Sequence, residues 1–187
     1  SIYASALNAK DCVFYSPNAN GTAIIHIVST SDDVNLTNNT IESNLLAIYN
    51  AGGRLVSPTR LTFDNVTGEV GRNATLTATL TDDKGNVIGS SDTVTAKVNG
   101  TDVNLVFDET TKKFTGKYTQ ATVKGEYPIT GNYTKATDCT VTNGVLNVID
   151  HIPDFDDLQA IVDAAAPNSV IYLNGTNYIA KPGQSVV

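Results

Sequence analysis

The most regular stretch of the sequence is the segment ATLTATLT, residues 74–81. Its alanines and leucines share one parity, and its four threonines share the other. Because successive side chains of a β-strand point to opposite faces, this period of two predicts a strand with one buried and one solvated face. The run Asp82-Asp83-Lys84-Gly85-Asn86 follows directly and predicts a turn.

Similar short apolar alternations, separated by turn signals, continue from residue 62 to residue 149. The dipeptide Asn99-Gly100 is a strong signal for a two-residue hairpin turn. About seven short strands at a spacing of roughly 8–12 residues predict an all-β fold, with an Ig-like β-sandwich at 62–149. The chain has no Trp, and this region has no pair of cysteines, so it is not an antibody-type domain.

Residues 1–61 are also rich in strand formers, but their pattern is less regular. A continuous apolar run at 23–28 contains one histidine, and shorter apolar pieces follow, separated by Asn and Gly. Strands of three to five residues broken by such corners favour the terminal coils of a parallel β-helix. A small irregular β-domain is the alternative.

Residues 150–187 contain the strongest helix signal. Asp154 is the expected N-cap, Asp156 and Asp157 lie in the first turn where the helix dipole favours negative charge, and Pro167 ends the helix. The predicted apolar stripe comprises Phe155, Leu158, Ile161, Val162 and Ala165. A strand is predicted at 169–174. We expect this helix and strand to form a cap that opens a further β-helix segment.

Composition excludes several classes of protein. The 187 residues carry 12 basic and 19 acidic side chains, a net charge of −7, which makes nucleic acid a poor partner. No apolar stretch approaches 18 residues, so we expect no membrane contact within the segment. The first residues lack a basic and an apolar region, and so predict no signal peptide. Because the chain contains no Met, even at position 1, we expect a processed piece of a longer polypeptide.

With these patterns, the chain resembles the adhesin-like surface proteins of methanogenic archaea, in which β-helix segments alternate with Ig-like repeats. The segment 38–63 is similar to closing β-helix coils, 73–100 and 124–134 to the Ig-like repeat, and 154–180 to a helix and strand that open a new β-helix. The resemblance covers most of the chain. It implies an extracellular, cell-surface segment that acts as a spacer, presentation and adhesion module.

The partners implied by the resemblance are cell-surface proteins or glycans of neighbouring cells. We expect no enzymatic activity, no catalytic residue, no cofactor and no metal ion. Two alternatives remain open: a carbohydrate-binding module and a fragment of a β-helix carbohydrate-active enzyme. A binding module would present exposed aromatic residues on one face, but Tyr118, Tyr127 and Tyr133 share the inward parity of their strands.

Eight Asn-x-Thr motifs are candidate N-glycosylation sites, about twice the number expected by chance from this composition. An exported glycoprotein is one interpretation. The other interpretation is that the composition alone, with 25 Thr and 19 Asn in strands and turns, produces the motif. We expect Asn99 and Asn174 to be the most accessible, and Asn73 and Asn132, beside or within strands, to be weaker candidates. The acceptors are Asn20, Asn35, Asn38, Asn65, Asn73, Asn99, Asn132 and Asn174.

Cys12 and Cys139 are too few for a disulfide framework or a zinc cluster. Each shares the parity of an apolar neighbour, which indicates two core cysteines that act as small apolar side chains. The alternative is a Cys12–Cys139 disulfide, which would join the two ends of the chain.

The two histidines are expected to be structural. His26 lies in an apolar run, so we expect a buried, hydrogen-bonded ring or a ladder position on a strand. His151 lies among aspartates that the helix start explains better than a metal site does, because the alternation of a calcium loop is missing.

Three acidic pairs and one possible crosslink are the remaining candidates for chemistry. Each pair falls in a predicted turn, a position that Asp favours for its own backbone hydrogen bonds, rather than across a hydrolase groove. An autocatalytic Lys–Asn crosslink would need Lys97, Asn132 and Glu126 to be buried together, although most lysines lie on the polar parity. The acidic pairs are Asp32-Asp33, Asp82-Asp83 and Asp108-Glu109.

Overall fold

The computed structural model describes residues 1–28, 32–173 and 175–184, which form short β-strands and one helix. The predicted all-β class is therefore confirmed. The strands are β1 Ile2–Ala4, β2 Leu7–Lys10, β3 Val13–Ser16, β4 Ala23–Ile27, β5 Asp33–Thr37, β6 Thr40–Ser43, β7 Leu46–Asn50, β8 Arg54–Leu55, β9 Thr59–Phe63, β10 Val66–Glu69, β11 Ala74–Asp82, β12 Ile88–Ser90, β13 Val94–Val98, β14 Thr101–Asp108, β15 Lys113–Tyr118, β16 Gly125–Asn132, β17 Cys139–Thr142 and β18 Gly144–Ile149. The helix is α1 Phe155–Ala164.

The first eight strands stack in parallel as successive coils. One sheet contains β1, β4 and β7, a second contains β2, β5 and β8, and a third contains β3 and β6. Side chains of one parity fill the space between the sheets, and Ile25, Ile27, Ile48 and Val34 are fully buried there. The short strands broken by Asn and Gly thus form coils because each corner lets the chain turn into the next sheet.

Asparagine joins neighbouring coils at one of these corners. The buried Asn39 side chain donates to the carbonyl of Ala9 at 3.0 Å and accepts from the amide of Cys12 at 3.0 Å. Both backbone groups belong to the preceding coil, so one amide side chain satisfies a donor and an acceptor that a buried corner would otherwise leave unpaired. This explains why Asn is frequent at the corners.

The middle of the chain forms one nine-stranded, mainly antiparallel sheet, in the order β10-β18-β16-β13-β14-β15-β11-β9-β17. The predicted alternation of 74–81 is confirmed, because every alanine and leucine of β11 is buried. β14 pairs with β13 along its first half and with β15 along its second half. One strand therefore connects two halves of a curled sheet.

The coils and the antiparallel sheet share hydrogen bonds. β12, which follows β11 of the antiparallel sheet in the chain, adds to β7 of the coils in parallel, with Gly89 opposite Tyr49. A further parallel bridge joins Leu55 to Ala136. Residues Ser1–Ile149 accordingly form one compact unit, and Asp150–Val187 form a second. The predicted three-part division, with its boundary at 61/62, stays a prediction.

The second unit begins with the predicted helix start. Asp154 accepts hydrogen bonds from the amides of Asp156 and Asp157 at 3.0 and 3.3 Å, and the Asp157 carboxylate accepts from the Asp154 amide at 2.8 Å. This reciprocal arrangement is a capping box. A hydrogen bond from Lys181 to the Asp154 carboxylate, aided by the helix-start amides, lowers the pKa of Asp154.

The rest of the second unit is less tightly packed. None of the helix residues is fully buried. The predicted strand at 169–174 is wrong for its described residues 169–173, which have no regular structure. A single strand leaves its backbone groups unpaired, and among the described residues of this unit the one β-bridge joins Asp154 to Ile179.

Candidate functional site

A buried polar network lies where β12 joins β7. The Asn50 side chain donates to the carbonyl of Gly53 and to the hydroxyl of Tyr133, both at 2.9 Å, and accepts from the amide of Gly53 at 2.7 Å. The Ser90 hydroxyl lies 2.8 Å from the Tyr133 hydroxyl and donates to the Asn50 carbonyl at 2.8 Å. Burial raises the pKa of Tyr133 to about 12, so its hydroxyl stays protonated as part of the network.

The turn between β11 and β12 forms a second connection to the coils. The amide of Asn38 donates to the Asp83 carboxylate at 2.9 Å, and the Asn86 side chain donates to the carbonyl of Asn39 at 2.9 Å. Asp82 holds the turn by accepting from the amides of Lys84 and Asn86. Burial raises the pKa of Asp82 although these hydrogen bonds oppose the shift. The predicted turn at 82–86 thus also contacts a corner of the coils.

A row of six aromatic rings runs from the surface of the coils into the core of the antiparallel sheet. Tyr3 stacks on His26 with a centroid distance of 4.9 Å, and His26 contacts Tyr49 at 5.1 Å. The row continues through Phe107 to Phe114 and Tyr133, with centroid distances of 5.2–6.4 Å. The first three rings repeat once per coil because they occupy matching positions on stacked parallel strands.

An open cleft of about 230 Å³ lies beside the middle of this row. Tyr49 and Phe107 contribute its aromatic surface, and the turn between β14 and β15 contributes Glu109 and Lys112. Corners of the coils contribute Thr22, Asn44 and neighbouring residues. The sequence did not indicate this cleft, because its residues come from separate predicted regions and their spacing carries no signal.

The structure places seven of the eight glycosylation candidates. Asn35 is half-buried, and Asn174 lies outside the described residues. Asn99 occupies the hairpin turn between β13 and β14 with a φ of 48°, and it is exposed as expected. Exposure does not test whether a glycan is attached, so these sites stay predictions. The exposed acceptors are Asn20, Asn38, Asn65, Asn73, Asn99 and Asn132.

Cys12 and Cys139 are both free thiols in the structure, and each packs half-buried against the core. Cys12 belongs to the first coil, whereas Cys139 lies in β17 beyond the last one. These two layers are three strand spacings apart. Because neighbouring strands lie about 4.8 Å apart, the layers are separated by about 14 Å. A disulfide needs Cα atoms about 4.4–6.8 Å apart, so the possible Cys12–Cys139 bridge does not fit this arrangement of coils.

Both histidines occupy structural positions. His26 holds the expected ladder position between Tyr3 and Tyr49, and its buried Nδ1 has no hydrogen-bond partner in the described part of the chain. His151 Nε2 lies 2.7 Å from the carboxylate of Asp157 at the helix start. Within residues 1–28, 32–173 and 175–184, no three His, Cys, Asp or Glu side chains are grouped as a metal ion would require.

The acidic pairs lie at strand ends and turns, and their carboxylates have local roles. Asp33 forms an ion pair with Arg54 on the next coil, and Asp83 contacts the Asn38 corner. Asp108 accepts from the amide of Thr110 at 2.9 Å and the hydroxyl of Thr111 at 2.7 Å, and these bonds, led by that of Thr111, lower the pKa of Asp108. Turn formation accounts for Asp108, and contacts between segments account for Asp33 and Asp83.

The proposed crosslink partners do not share a buried site. Lys97 is more than half exposed and pairs with Asp102 at 3.4 Å. Asn132 lies on the neighbouring strand opposite Thr95, and it is exposed.

Among the tyrosines considered for a glycan surface, Tyr118 and Tyr133 are buried, in agreement with their predicted inward parity.

In the described part of the chain, no helix combines the length and the apolar character that crossing a membrane requires.

No protein-family model matches the sequence. No curated protein matches it either. Among solved structures, part of the chain is similar to the Yersinia pseudotuberculosis adhesin InvE, at 20% identity over 51% of this chain and with a TM-score of 0.38. The match spans about a quarter (27%) of that adhesin structure, and a likeness this distant carries no argument about function.

Proposed function

We propose that this chain is a non-enzymatic segment of a cell-surface, adhesin-like protein, and that it acts as an extracellular spacer and presentation module. In this proposal, β-helix coils lead into an Ig-like sandwich built from the curled sheet. The partners would be cell-surface proteins or glycans of neighbouring cells. Glycans attached at the exposed Asn-x-Thr sites would lie on its surface.

The pairing of β12 with the coils supports this proposal most strongly. A spacer must transmit force along the chain without separating at its internal junctions. The parallel pairing of β12 with β7 makes the junction continuous in backbone hydrogen bonds, and the contacts of Asp83 and Asn86 with the coil corner add side-chain bonds to it. Loosely tethered modules would instead be expected to unfold one at a time.

Force spectroscopy on the full chain, pulled from its two ends, tests the proposal. We expect the unit Ser1–Ile149 to unfold in a single step that releases about 50 nm of chain, because β12 pairs with β7 of the coils and a bridge joins Leu55 to Ala136. The variant Asn86→Ala loses the side-chain bond to Asn39 and should unfold at a lower force. The exposed Asn73→Ala is the matched control and should behave like the wild type.

Two separate steps in the wild-type chain would contradict the proposal. A release of about 20 nm would correspond to the coils alone, and a release of about 30 nm to the antiparallel sheet. That result would mean that the pairing of β12 with β7 does not make the junction continuous under load.

A further inference from the structure

The cleft beside Tyr49 and Phe107 has the composition of a small-ligand site rather than of a packing defect. Its aromatic surface lies between polar side chains that come from three different places in the chain. Ligand sites in proteins typically combine such an apolar surface with a few polar groups that fix orientation. All of its residues lie within the compact unit Ser1–Ile149.

The aromatic surface is held in place before any ligand arrives. Tyr49 is fixed between the rings of His26 and Phe107. Phe107 lies directly against Gly89 of β12, where a Cβ atom would come within 2.4 Å of its ring. Glycine at this position therefore lets the ring reach the cleft, and a preorganised surface loses little side-chain entropy on binding.

The polar side of the cleft is a turn with a fixed conformation. Asp108 holds the turn through Thr110 and Thr111, and Lys112 has a positive φ of 55°. Neither Glu109 nor Lys112 forms an ion pair with another described residue, so both charged groups remain available to a ligand. Burial raises the pKa of Tyr49, and the next cause is Glu109, which places that carboxylate near the phenol.

We propose that this cleft binds a single neutral pyranose residue of a glycan. The C–H face of a sugar ring is complementary to the negative face of an aromatic ring. Its hydroxyl groups donate to a carboxylate such as Glu109 and accept from an ammonium such as Lys112. These two charges are opposite in sign, which favours a neutral ligand. The volume is below the roughly 300–1,000 Å³ of sites for drug-sized molecules, so one ring fits better than an oligosaccharide.

Titration of the ¹⁵N-labelled chain with methyl glycosides of glucose, galactose, mannose and N-acetylglucosamine tests this proposal. We expect at least one glycoside to shift the amide signals of Thr22, Tyr49 and Lys112, with a Kd of about 1 mM, as befits a ligand this small. The variant Glu109→Gln keeps the turn but removes the charged acceptor, and should bind about tenfold more weakly. Tyr15→Ala changes an exposed tyrosine on the first coil outside the cleft, and should leave binding unchanged.

Three results would overturn the proposal. The first is the absence of shifts at the cleft amides with every glycoside at about 50 mM, fifty times the expected Kd. The second is equal binding by the wild type and Glu109→Gln. The third is a stronger response to the methyl glycoside of glucuronic acid than to the neutral sugars, which would show that the cleft selects a charged ligand. Failure of this proposal leaves the spacer function untouched, because the force experiment does not depend on the cleft.

Discussion

Replacing Asn50 with alanine is expected to lower the free energy of unfolding by about 3–5 kcal/mol. The Asn50 side chain is fully buried and satisfies the amide and the carbonyl of Gly53, as well as the hydroxyl of Tyr133. Alanine can replace none of these bonds, and water cannot reach the backbone groups that lose their partner. Urea unfolding followed by circular dichroism measures the change.

The matched control is Asn73→Ala, because Asn73 is exposed at the start of β11. The Asn73→Ala substitution should lower the free energy of unfolding by no more than about 0.5 kcal/mol. If Asn50→Ala cost as little as this control, the buried network would not stabilise the junction between the coils and the antiparallel sheet.

Replacing Gly131 with alanine is expected to destabilise the fold by about 3 kcal/mol or more. A Cβ atom at this position would lie 2.1 Å from the carbonyl oxygen of Thr95 and 2.7 Å from the ring of Phe63. The carbonyl belongs to β13, which pairs with β16 in register, so it cannot move away without breaking the ladder. Thermal unfolding should show a large fall in Tm or a failure to fold.

Gly71→Ala separates this steric effect from the effect of backbone conformation. Gly71 has a φ of 79° but has open space around its missing side chain. Alanine at this position should lower the free energy of unfolding by about 1–2 kcal/mol, which is the usual penalty for a residue with a side chain in the left-handed conformation. A cost at Gly131 no greater than that at Gly71 would mean that β13 and β16 separate easily.

Local patterns predicted the elements whose stability depends on neighbours in sequence. The alternation of 74–81 predicted β11, and the aspartates at 154–157 predicted the helix start with Asp154 as its N-cap. Both follow from interactions over a few residues, which a single sequence carries. The strand expected at 169–174 does not form over its described residues 169–173, because a strand needs a partner and propensity alone says nothing about partners.

Contacts between distant segments were not predictable in the same way. The pairing of Ile88 with Ile48 depends on where β12, a short strand from the middle of the chain, meets the coil stack. The cleft depends on the same placement of β12, because Gly89 of β12 makes room for Phe107 beside Tyr49. Apolar residues at 46–50 and 88–90 are consistent with many pairings, and periodicity does not choose among them.

The placement of β12 also bears on self-association. A stack of parallel coils ends in a strand with unpaired backbone groups, and such an edge is a template for aggregation. Here β12 covers the edge of β7, and the bridge between Leu55 and Ala136 covers part of the edge of β8. The part of the chain that follows the coils therefore protects this end of the stack from pairing with other molecules.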